Sequence, residues 1–353
     1  MNRRDAIATG LLSAAALSTR ARAQTVSADH VLPGDGSIAS DPKEIVNLWP
    51  GTPPGGNGLR LVNRVTDRSD DPSHPDRFTD QIGAPNLTVF RPDRPEGAAV
   101  IIAPGGGYVR EVLDSESFET ARRLNSFGVT AFVLRYRLPG EGWVNRSDVP
   151  LQDAQRAMRL VRYNVSRYSI DLARIGFMGF SAGGHVAASL ATRAGAQVYE
   201  PIDAADRLDA HAAFAGLLYP VVTMGEGAHA GSRNYLLGPA PTPQQIAAHS
   251  CEKTVSRDAV PSFICLAADD RPCRLRPTDS RCSARYEPPA SPPSCMCLRK
   301  AAMVSASPRW RASPARYGPN FLLRGRGSTA FSKVRKPNQS SAGHIVFGSV
   351  GHR

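Results

Sequence analysis

The chain has 353 residues, of which 41% are hydrophobic and 21% charged. That is enough apolar material for a sizeable core and excludes global disorder. No apolar run reaches the roughly 18 residues that a membrane-spanning helix requires. The net charge of +12 would suit a nucleic-acid binder, but 16 Lys and Arg against 2 Asp and Glu lie in residues 271–353. The remainder holds 27 basic and 29 acidic residues, so the body is slightly acidic. The tail also holds Cys273, Cys282, Cys295 and Cys297. It has few aromatic residues and no nucleic-acid recognition motif, so no nucleic-acid partner is expected.

Residues 1–23 read as an export signal. Met1-Asn2-Arg3-Arg4-Asp5 is short and basic, Ala6–Leu17 is apolar and small, and Ala21-Arg22-Ala23 is a cleavage pattern. The Arg3-Arg4 pair suggests the twin-arginine route, and hence a periplasmic or secreted product. Residues 24–85 are rich in Pro, Gly, Asp and Ser. They read as an irregular N-terminal segment with one short strand near Ile45–Leu48.

From residue 86 to 270 strands and helices alternate. Asn86–Arg91 reads as a strand, and the continuous apolar run Ala98–Ala103 as a strand buried on both faces. Ser115–Ser126 is a helix, Thr130–Tyr136 a strand, and Leu151–Val165 a helix with apolar residues at spacings of three and four. Arg174–Met178 is the next strand, with a small-residue helix over Ala182–Thr192. His211–Val222 and Ser262–Leu266 contain two more strands. This alternation predicts an α/β fold, a doubly wound and mainly parallel sheet with helices on both faces. No internal repeat is present.

Met178-Gly179-Phe180-Ser181-Ala182-Gly183-Gly184 places G-x-S-x-G between a predicted strand and a predicted helix. This is the context of a nucleophile elbow, in which a sharp turn lifts the serine hydroxyl off the end of the sheet. Side chains at positions 179 and 183 would collide with neighbouring backbone. Pro104-Gly105-Gly106-Gly107-Tyr108 follows the Ala98–Ala103 strand, where an oxyanion loop belongs. The amides of Gly106, Gly107 and Ala182 are the candidate oxyanion donors, each worth roughly 3 kcal/mol to a developing negative charge. An acid that orients a histidine belongs after a later strand, and Asp269 and Asp270 follow Ser262–Leu266. Asp153 lies early in a helix, where it is read as favouring the helix dipole. No ligand cluster for a metal appears in the sequence, and the chemistry calls for no cofactor.

Jointly these stretches resemble exported bacterial α/β-hydrolases of the esterase/lipase type. The nearest branch is that of the acetyl-xylan and feruloyl carbohydrate esterases. The matching segments are Leu48–Gly51, Ile102–Tyr108, Phe132–Leu138, Pro150–Ala157, Gly176–His185 and Ala267–Asp270, within residues 45–270. The resemblance implies a serine carboxylic-ester hydrolase with Ser181 as nucleophile and Asp270 as triad acid, since members read Asp-x-x-Val-Pro here. It implies a small acyl ester or an acylated polysaccharide as substrate. His185 resembles a structural neighbour of the elbow. A serine peptidase or lipase, or a catalytically dead binding protein on the same fold, is the alternative.

The chain departs from the family after Asp270. Members continue with a helix, a strand and a Gly-Gly-His-Gly-Phe-Gly loop that carries the base. Here residues 271–353 are Arg-, Pro-, Ser- and Cys-rich, and only His344 and His352 remain. Codon arithmetic suggests why. Met303 is ATG and Val304 begins GT, so a frame displaced to take the third base of one codon and the first two of the next reads glycine at that junction. In the same frame Cys295–Ala306 can encode His-Val-Phe-Glu-Lys-Gly-Gly-His-Gly-Phe-Gly. Asp270–Arg274 can encode Pro-Ala-Val-Pro, completing Asp-x-x-Val-Pro. The tail is therefore read as a frameshifted, non-native and disordered basic segment, with the last strand and helix of the sheet missing and the base absent. On that reading the chain as it stands is expected to be nearly inactive.

Overall fold

The computed structural model describes residues 29–34, 36–257 and 259–267, together with a two-residue strand at 297–298. The export signal, Asp269, Asp270, His344 and His352 all lie outside the described residues. The strands in chain order are β1 (His30–Val31), β2 (Ile45–Asn47), β3 (Arg64–Asp67), β4 (Arg77–Asp80), β5 (Asn86–Phe90) and β6 (Ala99–Ala103). They continue with β7 (Glu111–Val112), β8 (Thr130–Arg135), β9 (Ile175–Phe180), β10 (Phe214–Leu218), β11 (Ser262–Ala267) and β12 (Cys297–Leu298). The helices are α1 (Glu119–Asn125), α2 (Val149–Tyr163), α3 (Val165–Tyr168), α4 (Ser181–Arg193), α5 (Ala230–Leu237), α6 (Pro243–Ala248) and α7 (Cys251–Thr254).

The main sheet runs β12-β11-β10-β9-β6-β8-β5-β2. Its pairs from β8 through β12 are parallel, and β5 and β2 add antiparallel at the other edge. The apolar run that gives β6 explains the layering. Ala99, Ile101 and Ala103 pack into one core with Leu151, Ala154, Met158 and Val161 of α2 and Val186 and Leu190 of α4. Val100 and Ile102 pack on the opposite face with Ala121 and Leu124 of α1 and with Phe118. A strand covered on both faces has no polar side to show, hence the unbroken apolar sequence. The sheet is thus α/β, mainly parallel, and covered by helices on both faces.

Two features differ from the sequence reading. Residues 24–85 are not merely irregular: β1, β3 and β4 join β7 in a second, antiparallel sheet of order β1-β3-β4-β7. Leu48, Trp49 and Ile82 from this segment lie in the main core. These strands are two to four residues long, too short to print a period of two on the sequence. Their register is held instead by cross-strand partners such as Arg64 and Asp80, whose side chains pair at 2.6 Å. Second, the main sheet does not stop at β11. Cys297 and Leu298 pair parallel with Leu266 and Ala267. Pairing of backbone along a sheet edge asks little of side chains, so a Cys/Arg-rich context did not announce it.

The predicted helix over Ser115–Ser126 begins with a π-helical turn at Asp114–Phe118 before α1. The Phe118 N–H donates to the Leu113 carbonyl at 2.9 Å, five residues back. Among the described residues no helix is long and apolar enough to cross a membrane.

Candidate active site

In an open α/β sheet, groups at the carboxyl ends of the parallel strands converge on one edge. Here β9 lies between β6 and β10. The segments that follow these three strands carry Ser181, the Gly105–Gly107 loop and Tyr219.

Ser181 opens α4 directly after β9, with φ at +51° and its side chain partly exposed. A left-handed backbone costs an L-residue roughly 1–2 kcal/mol and persists only where the surroundings impose it. The surroundings are tight. A Cβ on Gly179 would meet the Gly183 carbonyl oxygen at 2.0 Å, and one on Gly183 would meet the Ala103 carbonyl oxygen at 2.2 Å. Both glycines allow β6, β9 and α4 to approach closely enough to form the turn. The Val221 N–H donates to the Ser181 carbonyl at 3.1 Å, which ties the turn to the segment after β10. The α4 N-terminus also directs its unpaired amides and positive dipole end at this point.

The neighbouring loop is equally constrained. Gly106, Gly107 and Tyr108 have φ of +132°, +68° and +65°. A Cβ on Gly106 would lie 2.1 Å from the Arg110 carbonyl oxygen. The Gly106 carbonyl accepts from Val109 and Arg110, folding the loop back on itself. No described group accepts a hydrogen bond from the amides of Gly106, Gly107 or Ala182. A Cβ on Gly105 would sit 3.0 Å from the Ser181 Cβ, so loop and serine are in direct contact.

Two groups beside the loop, Glu116 and Tyr219, and one elsewhere in the core, Asp153, left little signal in the sequence. Glu116 is 6% exposed and accepts from the Gly105 N–H at 2.6 Å and the Tyr219 hydroxyl at 2.8 Å. Its burial pushes its pKa up, while the bonds from Tyr219 and Gly105 pull it back. Tyr219 has φ of +37°, and its N–H donates to the Cys265 carbonyl of β11. Asp153, read as a helix-dipole residue, is instead fully buried and paired with the equally buried Arg137 at 2.8 Å. It also accepts from the Trp49 indole at 2.8 Å. Helix position was visible in the sequence, whereas a partner 104 residues away was not.

His185 is fixed in place. It is 2% exposed, with Nδ1 2.6 Å from the Tyr108 hydroxyl and Nε2 2.8 Å from the His249 carbonyl. A carbonyl only accepts, so Nε2 carries the hydrogen and Nδ1 accepts from Tyr108. Burial lowers the His185 pKa to about 4. Its ring is therefore neutral and engaged at both nitrogens, as befits a structural neighbour of the elbow. No described histidine hydrogen-bonds Ser181. β11 ends at Ala267, three residues before Asp270. Among the described residues no cluster of His, Cys, Asp or Glu is arranged to hold a metal.

Comparison with known proteins places the fold in a family. The BD-FAE family model matches residues 87–275, more than half of the chain. The chain belongs to the BD-FAE family. It has the α/β-hydrolase fold of that group of esterases. It is 35% identical over 193 residues to endo-1,4-beta-xylanase B of Butyrivibrio fibrisolvens, across 53% of this chain and 29% of that protein. It is 29% identical over 191 residues to an acetylxylan esterase of Xylanibacter ruminicola, across 53% of this chain and 36% of that one. The chain thus spans about a third of the length of these curated relatives. Among solved structures, the acetyl ester-xyloside bifunctional hydrolase of Caldicellulosiruptor lactoaceticus superposes with a TM-score of 0.60 at 28% identity. That match covers 82% of this chain and 97% of the other.

Proposed function

We propose that this BD-FAE chain is built for serine-dependent hydrolysis of carboxylic esters, with acetyl groups on a xylan-type polysaccharide as the substrate class. The observation that carries the reading is Ser181 at φ +51° on the tip between β9 and α4, in contact with a glycine loop whose φ values are also positive. Similarity to an acetylxylan esterase and to an acetyl ester-xyloside hydrolase favours an acylated sugar.

In the proposed reaction the Ser181 hydroxyl oxygen adds to the ester carbonyl carbon and its proton passes to a general base. The carbonyl electron pair moves onto oxygen, and the amides of Gly106, Gly107 and Ala182 stabilise that charge. Collapse expels the sugar oxygen, which takes up the proton. Water then repeats the sequence on the acyl-enzyme, releasing the acid and restoring Ser181. Asp270, three residues beyond the end of β11 in the sequence, is assigned to orient the base. His185 is not available as that base, because both of its nitrogens are occupied. Export through residues 1–23 belongs to the same proposal, since a polymeric substrate lies outside the cell.

The test compares the frame-restored protein with its Ser181→Ala variant on p-nitrophenyl acetate and on acetylated xylan. A chain without the base keeps only the roughly 10³–10⁴-fold over water that the oxyanion site and binding supply, with or without the serine. Ester hydrolysis by the frame-restored protein, lost in Ser181→Ala, is the expected result. Equal rates in the two proteins would refute the serine mechanism.

A further inference from the structure

The described carboxylate tied directly to the glycine loop has no part in the reaction written above. We propose that Glu116 is a positioning residue, a buried brace that fixes the oxyanion loop against Ser181 by bonding to the strand ends on either side of it. The inference rests on the esterase reading.

The sheet order β6-β9-β10 places Ser181 between two neighbouring strand ends. Glu116 reaches both. Its Oε2 accepts from the N–H of Gly105, just beyond β6, and its Oε1 accepts from the hydroxyl of Tyr219, just beyond β10. A Cβ on Gly105 would lie 2.7 Å from Glu116 Oε2, 2.8 Å from the Phe180 carbonyl and 3.0 Å from the Ser181 Cβ. Carboxyl group, loop and serine therefore form one contact cluster, and any side chain at position 105 would break it. Glu116 is presented by the π-helical turn Asp114–Phe118, an insertion that recurs at functional sites.

The electrostatics sharpen the argument. Among the described residues no cation forms a salt bridge with Glu116; Arg68 acts on it only at longer range. A buried, unpaired carboxylate is costly, and negative charge beside a developing oxyanion opposes catalysis. An apolar side chain would fill the space without either penalty. What a carboxyl group adds is acceptor geometry at two points, which holds Gly105 and thereby the direction of the next two amides. The useful property is the pair of hydrogen bonds and not the charge. A glutamine preserves it: its oxygen accepts from Gly105 and its NH₂ donates to the Tyr219 oxygen.

The experiment measures kcat and KM for p-nitrophenyl acetate in full-length wild type, Glu116→Gln, Glu116→Ala, Tyr219→Phe and the Ser181→Ala control. Hydrogen exchange of the 104–110 backbone is followed in the same proteins. A misplacement of about 1 Å can cost about 100-fold in rate. Glu116→Ala is expected to lower kcat by at least about tenfold with little change in KM, and Glu116→Gln to keep wild-type kcat within about threefold. Tyr219→Phe should fall between them. Exchange in 104–110 should accelerate in Glu116→Ala and not in Glu116→Gln. A Glu116→Ala protein with wild-type kcat, or a Glu116→Gln protein as impaired as Glu116→Ala, would overturn the proposal. Should Glu116→Ala fail to fold, Glu116→Gln and Tyr219→Phe carry the same comparison. If the frame-restored protein and its Ser181→Ala variant react equally, the esterase reading fails on its own. The exchange data then decide the brace: unchanged protection in the alanine variant overturns it.

Discussion

Replacing Asp153 with alanine separates two accounts of one residue. If the carboxylate only complements the α2 dipole, its removal costs about 0.3–1 kcal/mol. The structure gives it far more to do. Both Asp153 and Arg137 are 0% exposed. Asp153 accepts from the Arg137 backbone N–H at 2.8 Å, from its Nε at 2.9 Å and its Nη2 at 2.8 Å, and from the Trp49 indole at 2.8 Å. The guanidinium keeps bonds to the Pro54 carbonyl and the Gln152 side chain, neither of which is anionic. Deleting the carboxylate thus strands a buried cation between the Trp49 and Trp143 rings. Breaking a buried pair in this way costs about 3–5 kcal/mol. For a domain of this size each kcal/mol moves Tm by about 2–4 °C, so Asp153→Ala is expected to lower Tm by about 6–20 °C. Urea unfolding followed by circular dichroism measures the same loss through the midpoint at constant m. The double variant Arg137→Met/Asp153→Leu removes both charges and should recover most of it, since an apolar pair of similar volume is often neutral or better. A loss below about 1 kcal/mol for Asp153→Ala, or a double variant no more stable than the single one, would refute the buried-pair account.

Other perturbations are equally direct. Gly183→Ala puts a Cβ 2.2 Å from the Ala103 carbonyl oxygen; it should cost about 1–3 kcal/mol in urea unfolding and remove any Ser181-dependent esterase activity, and a stable, unchanged variant would contradict the packing of the elbow. His185, with a pKa lowered to about 4 against 6.5 unfolded, should titrate near pH 4 by NMR. The unfolded chain binds the proton first, so this group's contribution to stability is full above about pH 6.5 and falls as pH drops toward 4, by on the order of 3 kcal/mol. Buried carboxylates with raised pKa such as Glu111 and Glu141 act in the opposite sense. The difference in stability between wild type and His185→Gln across this pH range therefore isolates the histidine, and a flat difference would contradict its burial. Sequencing the coding DNA beyond codon 270 tests the displaced frame: it should encode Gly-Gly-His-Gly-Phe-Gly, and the frame-restored protein should hydrolyse p-nitrophenyl acetate faster than the present chain by at least about 10³-fold.

Much of the fold and the elbow was legible before any coordinates, because both are written in local rules. A strand buried on both faces must be apolar throughout, so β6 showed itself as a run. A serine turned out of a sheet needs glycine at positions 179 and 183, because a Cβ there would overlap backbone. A loop with φ of +132° and +68° at successive residues reads as glycines 106 and 107. Such constraints act within a few residues and leave their mark in order along the chain.

What the sequence could not express was partnership at a distance. Glu116 looks like any acid in an Asp-Ser-Glu-Ser stretch until folding brings it to Tyr219, 103 residues away. Arg77, 1% exposed between Asp41 and Asp114, anchors the second sheet to the body through residues 36 and 37 positions distant. Asp153 had a plausible local role and acquired a different one on burial. Isolated polar residues carry no periodicity. Their contribution depends on which opposite charge or donor shares the low-dielectric interior with them, and only the tertiary structure decides that.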